Sequence, residues 1–377
     1  MLKSNKIYLD YASSVLATSA NPSAIHELGI EEKNKLEDAR TVIAKILGAH
    51  SDEIIFTSGA TESNNLAILG VSASRIITTN IEHASVFETC EHLRKTKQAK
   101  ITCVAVEANG IVDSKKIKKA LTKDTTLVSI IYANNEIGTI QPIREIAKEI
   151  RHYNKLNNTK ILFHTDAVQA VNYLPINVAQ LGVDLMSFNS AKIYGPKGIG
   201  VLYVKRNTPI SKIMFGGKQE RGLRPGTENV ALAVELANAL QVTEKIKVKE
   251  AKRLTKLRDY FFSKLQQMSR FNLDIGFIIN GDLKNRLPNN INFTIPNIPS
   301  DLLVIELSAK GIMASAKSAC KSGDGKVSHV IKAINPKIKE TDGSLRFSLG
   351  RQTTKADIDY TVKALSKILT KLKKWYN

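Results

Sequence analysis

The sequence is poor in cysteine, and this narrows the classes of protein to which it can belong. Its 377 residues include only three cysteines, Cys90, Cys103 and Cys320. Three widely separated cysteines are too few for a disulfide framework, and their spacing is not that of a zinc site. We therefore expect a reducing, cytoplasmic location and no structural metal.

Long hydrophobic runs are also missing. No apolar run approaches the roughly 20 residues of a membrane span, and the N-terminal residues MLKSNKIYLDYASS lack the apolar core of a secretory signal. Hydrophobic residues make up 43% of the chain and charged residues 24%, as in an ordinary globular protein. The length is sufficient for two domains.

Acidic residues are scarce relative to basic ones. Lys and Arg number 55 against 35 Asp and Glu, so the formal net charge is +20. Such a charge can attract nucleic acid, an anionic membrane surface or an acidic protein. The lysines are spread along the chain, however, and no basic region is interleaved with aromatic residues. This favours a solvated basic surface over direct nucleic-acid binding.

Short apolar runs alternate with helical patterns from residue 54 to about residue 205. This alternation predicts an α/β domain with a mainly parallel sheet flanked by helices. Beyond it we expect a smaller α+β domain, with a boundary near residue 250, so that residues 15–250 form the large domain and residues 251–377 with 1–14 the small one. The predicted strands are 54–57, 75–79, 100–106, 126–132, 160–163, 184–188, 200–204 and 291–294, and the predicted helices include 63–71, 142–153, 230–262, 300–310 and 354–375.

An aspartate and a lysine follow two of the predicted strands. Asp166 and Gln169 come just after the run that ends at Phe163, and Lys192 follows the run that ends at Phe188. Ligands of open α/β sheets bind beyond the carboxyl ends of strands. A lysine amine can form a Schiff base with pyridoxal phosphate (PLP), and an aspartate can pair with its pyridinium nitrogen. The alternative is a pair of solvated loop charges.

Residues 57–65, TSGATESNN, follow a predicted strand and open a helix. Ala60 and Thr61 can present backbone N–H groups to a phosphate there, although an ordinary helix cap has the same geometry. His83 follows the next strand and can stack on a flat ring or carry a proton, but a lone histidine is often structural. Asn135, after a further strand, can bind a carboxylate or belong to a simple turn.

Cys320 lies among small, polar and basic residues, whereas the other two cysteines lie in predicted helix or strand. Lys317 and Lys321 favour its thiolate form, so that an exposed Cys320 is a candidate nucleophile. Cys90 and Cys103 are interpreted as packing residues.

Taken together, these segments resemble the cysteine desulfurases of the NifS/IscS type, which belong to the class V aminotransferase-like PLP enzymes. The resemblance follows the chain in order through YLDYAS, NPSAIHELG, IIFTSGATESNN, EHASV, NNEIGTIQPI, HTDAVQ, KIYGPKGIG, RGLRPGTENV, SAC and SLRFSLGRQTT. The distance from Cys320 to His329 is similar to the long cysteine loop of the IscS-like group. The resemblance implies the PLP-dependent transferase fold of type I, with a seven-stranded sheet.

The resemblance also implies roles for individual residues. Lys192 would hold the cofactor covalently, Asp166 would pair with the ring nitrogen, Gln169 with the ring hydroxyl, and His83 would stack on the ring. The phosphate would be bound by Ala60, Thr61 and Asn189 and, from the neighbouring subunit of a homodimer, by Thr227. Asn135 and Arg346 would hold the carboxylate of L-cysteine, and Cys320 would take its sulfur as a persulfide for iron–sulfur cluster assembly or tRNA thiolation.

Four features depart from the family pattern. Ala191 stands where the family has a phosphate-binding histidine, Asn189 replaces a serine, Lys317 replaces a glycine, and the stretch between residues 14 and 21 is short by several helical turns. These departures predict weaker PLP binding or lower activity, and Ala191 with the short N-terminal stretch leaves open a non-catalytic homologue that acts as a scaffold. A selenocysteine lyase with the same fold is a second alternative.

Overall fold

The computed structural model describes residues 9–10, 20–72, 74–271, 276–316 and 327–376, with side chains omitted at 269–271 and 373–376. Within these residues, no helix is both long and apolar enough to span a membrane.

A seven-stranded sheet forms the centre of the molecule, as the alternating pattern predicted. The strands are β1 (Ile54–Thr57), β2 (Arg75–Thr79), β3 (Lys100–Val104), β4 (Thr125–Ile131), β5 (Leu162–Asp166), β6 (Leu185–Asn189) and β7 (Gly200–Val204). Their order in the sheet is β1-β7-β6-β5-β4-β2-β3, and only β7 runs antiparallel to its neighbours. Except for β3, which is largely accessible, these strands are buried along most or all of their length, because helices cover both faces of a mainly parallel sheet.

All seven strands were predicted, and the differences lie at their ends. The largest concerns β5, which continues to Asp166 where the apolar run suggested an end at Phe163. His164 and Thr165 extend the strand although they are polar, since both are completely buried and hydrogen-bonded to neighbouring strands. Asp166 is therefore the last residue of a strand, not a loop residue.

Helices cover the sheet and join its strands. They are α1 (Glu27–Leu47), α2 (Ala60–Leu69), α3 (Ala84–Lys95), α4 (Ser114–Ala120), α5 (Ile143–Asn157) and α6 (Val178–Leu181). The predictions missed α1, although it has clear end signals. His26 caps its first turn, and Gly48 ends it in the left-handed conformation at φ 67°.

A long helix leads from the large sheet to a second, smaller one. This helix, α7, spans Val230–Phe271 and is longer than predicted; the domain boundary expected near residue 250 lies within it and stays a prediction. This part of the chain contains β8 (Ile278–Ile279), β9 (Asn290–Ile295), α8 (Ser300–Ser308), α9 (His329–Ile334), β10 (Gly343–Ser348) and α10 (Lys355–Tyr376). Its three strands form the small sheet, which is antiparallel with the order β10-β9-β8.

One continuous hydrophobic cluster connects the two sheets. It contains Phe163 and Phe188 of the large sheet together with Phe293 and Leu345 of the small one. The small sheet is therefore packed onto the large one, which brings β10 close to the carboxyl ends of β4, β5 and β6.

Candidate active site

A cavity of about 560 Å³ opens at the carboxyl ends of the central strands. Its walls come from the large sheet, from the first turns of α2 and α3, and from β10 of the small sheet. Nine of the residues singled out in the sequence line it: Ala60, Thr61, His83, Asn135, Asp166, Gln169, Asn189, Lys192 and Arg346.

Asp166 provides a buried carboxyl group at the end of β5, with only 3% of its surface exposed. Its Oδ2 accepts a hydrogen bond of 2.7 Å from Asn64 Nδ2, and its Oδ1 accepts one of 3.0 Å from the Val168 N–H. Burial raises the pKa of Asp166, while these two hydrogen bonds oppose the rise. Within the described part of the chain no Lys or Arg forms an ion pair with it, so a cationic nitrogen of a ligand fits this carboxyl.

Lys192 lies in a tight turn directly after β6. The turn is closed by hydrogen bonds from the Ile193 and Gly195 N–H groups to the Ser190 carbonyl, at 3.0 and 3.1 Å. A Cβ atom at Gly195 would overlap Ser190 Oγ and lie 2.9 Å from Ala239 Cβ, so the turn requires glycine there. The exposed Lys192 side chain is thereby presented at the cavity, near Asp166 on the adjacent strand.

The first turn of α2 forms a candidate phosphate cradle. Ala60 and Thr61 are its first residues, and N–H groups at this end of a helix have no partner within the helix. Gly200 allows a close approach from β7, because a Cβ atom at Gly200 would lie 2.6–2.7 Å from the backbone of Gly59. The strand and the turn are therefore packed as closely as glycine permits.

Asn189 completes this wall of the cavity. Its Oδ1 is buried and has no hydrogen-bond partner in the described part of the protein. Turning the amide over presents its NH₂ group instead, so a phosphate oxygen can satisfy this side chain. Ala191, in the place of the family's histidine, contributes only a methyl group to the lining.

Arg346 enters the cavity from β10. Its Nη1 donates a hydrogen bond of 3.0 Å to the Asn135 carbonyl, while its buried Nε has no acceptor among the described residues. Burial lowers the pKa of this guanidinium, and nearby Glu136 opposes the fall. A guanidinium with a free donor beside a cavity is suited to a carboxylate. Asn135 meets Arg346 through its backbone here, not through its side chain.

Two predicted residues lie elsewhere. Thr227 is exposed in the segment before α7 and does not line the cavity. Cys320 and Lys317 lie outside the described residues, so their predicted roles stay predictions. Among the other cysteines, Cys90 is buried and its pKa is raised by burial to about 12, as suits a packing residue. The packing interpretation of Cys103 was wrong, because Cys103 is exposed on β3.

The segment that contains Cys320 joins the described structure beside Arg346 at one end. The backbones of Ser315 and Arg346 exchange two hydrogen bonds, at 2.7 and 3.1 Å. At the other end, the hydroxyl of Ser328 donates a hydrogen bond of 2.5 Å to the carboxylate of Glu136, which follows Asn135. Both flanks of the segment are thus attached close to the residues that contact Arg346.

The sequence interpretation missed further residues of the cavity. Tyr194 has a left-handed backbone at φ 66°, and its ring packs against the guanidinium of Arg351 at 3.9 Å. Asn289 has a buried Oδ1 without a partner in the described structure. Tyr194 belongs to the KIYGPKG motif and could have been found from it, whereas nothing in the local sequence marks Asn289. Asn172, Tyr173 and Ser85 also line the cavity.

This arrangement defines a class of enzyme. A mainly parallel sheet, with a lysine and a buried aspartate at the ends of adjacent strands and a phosphate cradle beside them, is the arrangement of a PLP-dependent transferase of fold type I. The buried Asp166, the free donor of Arg346 and the unsatisfied Asn189 are groups that PLP with an amino acid can satisfy.

Comparisons with known proteins agree with this class. The model of the aminotransferase class-V family matches residues 3–361. The cysteine desulfurase IscS of Dictyoglomus turgidum is 44% identical over 98% of this chain and 95% of that protein. The cysteine desulfurase IscS of Methanosarcina thermophila is 41% identical over 94% of this chain and 86% of that protein.

Solved structures give the same result. The structure of a NifS-like protein is 36% identical in sequence and has a TM-score of 0.85, and the match covers 94% of this chain and 92% of that one. The structure of the NifS-like protein of Rickettsia africae is 31% identical and has a TM-score of 0.81, and the match covers 93% of this chain and 92% of that one. The chain therefore belongs to the aminotransferase class-V family and, within it, to the cysteine desulfurases of the NifS/IscS type, as its motifs predicted.

Proposed function

We propose that this PLP-dependent cysteine desulfurase converts L-cysteine to L-alanine and receives the substrate's sulfur on Cys320 as a persulfide. The observation that carries the proposal is the cavity itself, which brings Lys192, Asp166 and His83 of the large sheet together with Arg346 of the small one. The first three suit the cofactor, and the fourth suits an amino-acid carboxylate.

The cofactor would be held by residues from both sides of the cavity. Asp166 would face the ring nitrogen, and PLP bound there withdraws electrons from the α-carbon of an attached amino acid. The remaining contacts would come from Lys192, Gln169, His83, Ala60, Thr61 and Asn189.

The chain's own groups would orient the substrate and move its proton. Arg346 with Asn135 binds the carboxylate and sets the orientation of the α-carbon. Nζ of Lys192, once released from the cofactor, takes the α-proton. The Cys320 thiolate then forms an S–S bond with the substrate sulfur as the Cβ–S bond breaks, and the carbon skeleton leaves as alanine after it gains a proton.

The assembly and the setting of the enzyme belong to the same proposal. The chain would act as a homodimer in the cytoplasm, with exposed Thr227 reaching the phosphate of the neighbouring subunit. Residues 15–250 would form the large domain, and residues 251–377 with 1–14 the small one. The persulfide would pass to an iron–sulfur scaffold or a tRNA-thiolation protein.

The two alternatives are weaker. A scaffold that does not catalyse has no need of Lys192, Asp166 and Arg346 around one cavity, even though Ala191 removes a phosphate contact. A selenocysteine lyase would use the same residues, and a comparison of rates with cysteine and selenocysteine separates the two activities.

The test is the measurement of alanine and sulfide formed from L-cysteine in the presence of PLP and a thiol reductant. We expect equal amounts of both, and their loss in Cys320→Ala with PLP still bound. Cys103→Ser, at an exposed cysteine on β3, is the control and should stay active. Full turnover in Cys320→Ala would show that another group accepts the sulfur, and no product despite bound PLP would point to another substrate.

A further inference from the structure

The orientation of His83 is set by the helix that follows it. His83 is the residue before α3, and its Nδ1 accepts a hydrogen bond of 3.2 Å from the backbone N–H of Ser85. A backbone N–H can only donate, so Nδ1 must offer its lone pair. In a neutral imidazole the ring proton then sits on the other nitrogen, Nε2.

A second donor converges on the same ring nitrogen. The hydroxyl of Ser85 lies 2.8 Å from His83 Nδ1, and it also accepts a hydrogen bond of 2.8 Å from Asn64 Nδ2. Because an amide NH₂ only donates, the Ser85 oxygen is occupied as an acceptor. Its own proton is free to point toward Nδ1, whose lone pair faces it.

The other end of this chain of hydrogen bonds is Asp166. The same Asn64 Nδ2 donates to Asp166 Oδ2 at 2.7 Å, and a carboxylate fixes the amide orientation because it accepts. Asn64 and Asp166 are both buried, and Ser85 is 8% exposed, so water does not compete strongly for these bonds. One directed network therefore runs from Asn64 to Asp166 on one side and through Ser85 to His83 on the other.

We propose that Asn64 and Ser85 are positioning residues that hold His83 as the neutral tautomer with its proton on Nε2. The inference deepens the proposed function, on which it rests. His83 lines the cavity, and in this tautomer its Nε2–H group can donate a hydrogen bond to a ligand there. It cannot act as a base at Nε2 without first losing that proton.

The network also connects His83, which would stack on the cofactor ring, to Asp166, whose carboxyl group would face the ring nitrogen. Movement of Asn64 would disturb both groups at once, since one amide nitrogen serves both. Ser85 contacts Asn64 and His83 but makes no hydrogen bond to Asp166, and this difference makes Ser85 the residue to substitute.

The experiment is nitrogen NMR of the full chain labelled with ¹⁵N-histidine, with PLP bound and again without it. His83→Gln identifies the His83 signals among the seven histidines. We expect Nδ1 to resonate as an unprotonated nitrogen and Nε2 as a protonated one. In Ser85→Ala the tautomer ratio should shift about fivefold toward protonated Nδ1, the change expected from the loss of one hydrogen bond.

Thr89→Val is the matched control. Thr89 lies on the same helix with a buried hydroxyl that bonds the Ser85 carbonyl, but it does not contact His83. This variant should leave the His83 signals unchanged. A proton on Nδ1 in the wild type, or identical His83 signals in wild type and Ser85→Ala, would overturn the proposal. Absence of alanine formation with the expected tautomer would instead refute the proposed function alone.

Discussion

The hydroxyl of Ser328 donates a hydrogen bond of 2.5 Å to the carboxylate of Glu136, which is only 2% exposed. Ser328 caps the first turn of α9 and lies eight residues after Cys320, whereas Glu136 follows β4 of the large sheet. The backbone carbonyl of Glu136 also accepts hydrogen bonds from Asn290 and Asn292 of β9. This one residue therefore joins the small sheet and the start of α9 to the large sheet.

Ser328→Ala should weaken both the fold and sulfur transfer. Removal of the hydroxyl leaves a buried carboxylate oxygen without its partner, which costs about 1–3 kcal/mol of unfolding free energy. Denaturant unfolding measures this loss. Mass spectrometry after a single turnover should show slower persulfide formation on Cys320, with PLP binding unchanged. Ser308→Ala, at an exposed serine of α8, is the control; equal effects of the two substitutions would contradict the prediction.

Lys192→Ala should remove the covalent attachment of the cofactor. In the wild type, borohydride reduction in the presence of PLP is expected to leave the cofactor on the peptide that contains Lys192, because only an amine can form the link. In the variant, peptide mapping should find none at this position. Lys197→Ala, in the same turn and also exposed, should behave as the wild type. Label on Lys197 in the wild type would show that the turn presents a different lysine.

Arg346→Lys should weaken the binding of substrate. A lysine keeps the positive charge but loses the planar fork that can bind a carboxylate while Nη1 holds the Asn135 carbonyl. We expect the KM for L-cysteine to rise roughly 10–100-fold, the range of about 1.5–3 kcal/mol for a charged hydrogen bond. Arg206→Lys, on the surface beside Asp52, is the control. An unchanged KM would mean that the carboxylate binds elsewhere.

Glu82→Gln should change how stability depends on pH. Glu82 is completely buried, and burial raises the pKa of its carboxyl to about 8. Its ordinary pKa is 4.5, so between pH 5 and 8 the folded protein keeps a proton that the unfolded chain releases. The stability contributed by this group is therefore full at low pH and is lost as the pH rises toward 8.

The glutamine variant has no such proton to lose. Thermal unfolding of wild type and Glu82→Gln should give similar stability near pH 5 after allowance for a constant offset. Toward pH 8 the wild type should lose on the order of a few kcal/mol more, because one pKa unit corresponds to about 1.4 kcal/mol. Parallel curves across this pH range would mean that Glu82 is already ionised in the folded protein.

Apolar runs located the large sheet because its strands, apart from β3, are buried on both faces. Runs such as Ile54–Thr57 and Gly200–Val204 are almost entirely apolar and were predicted with their exact ends. The end of β5 was not predicted correctly, because its last three residues are polar. His164 lies in this stretch; it is completely buried, and burial lowers its pKa to about 3. No local pattern distinguishes such a histidine from a loop residue.

Candidate residues of the site could be named partly because many of them follow a strand or open a helix, and partly, as for Arg346 within β10, because their motifs resemble those of the family. Lys192 and Asp166 were placed at the ends of neighbouring strands, and the two strands, β6 and β5, do pair with each other in the sheet. Asn64, Ser85 and Asn289 were not identified, because their importance comes from contacts with residues distant in the chain. Asn64, for instance, bonds Asp166, 102 positions away.

The sequence alone determined the α/β class and the seven strands, because these depend on local apolar patterns, and its motifs identified nine of the residues that line the cavity. The tertiary structure decided which atoms meet. It directed the lone pair of His83 Nδ1 toward Ser85 and left a donor of Arg346 without a partner in the described structure. The reason is physical: direction and burial of a hydrogen bond depend on the packing of α2, α3 and the two sheets against one another, and that packing joins residues far apart in the chain.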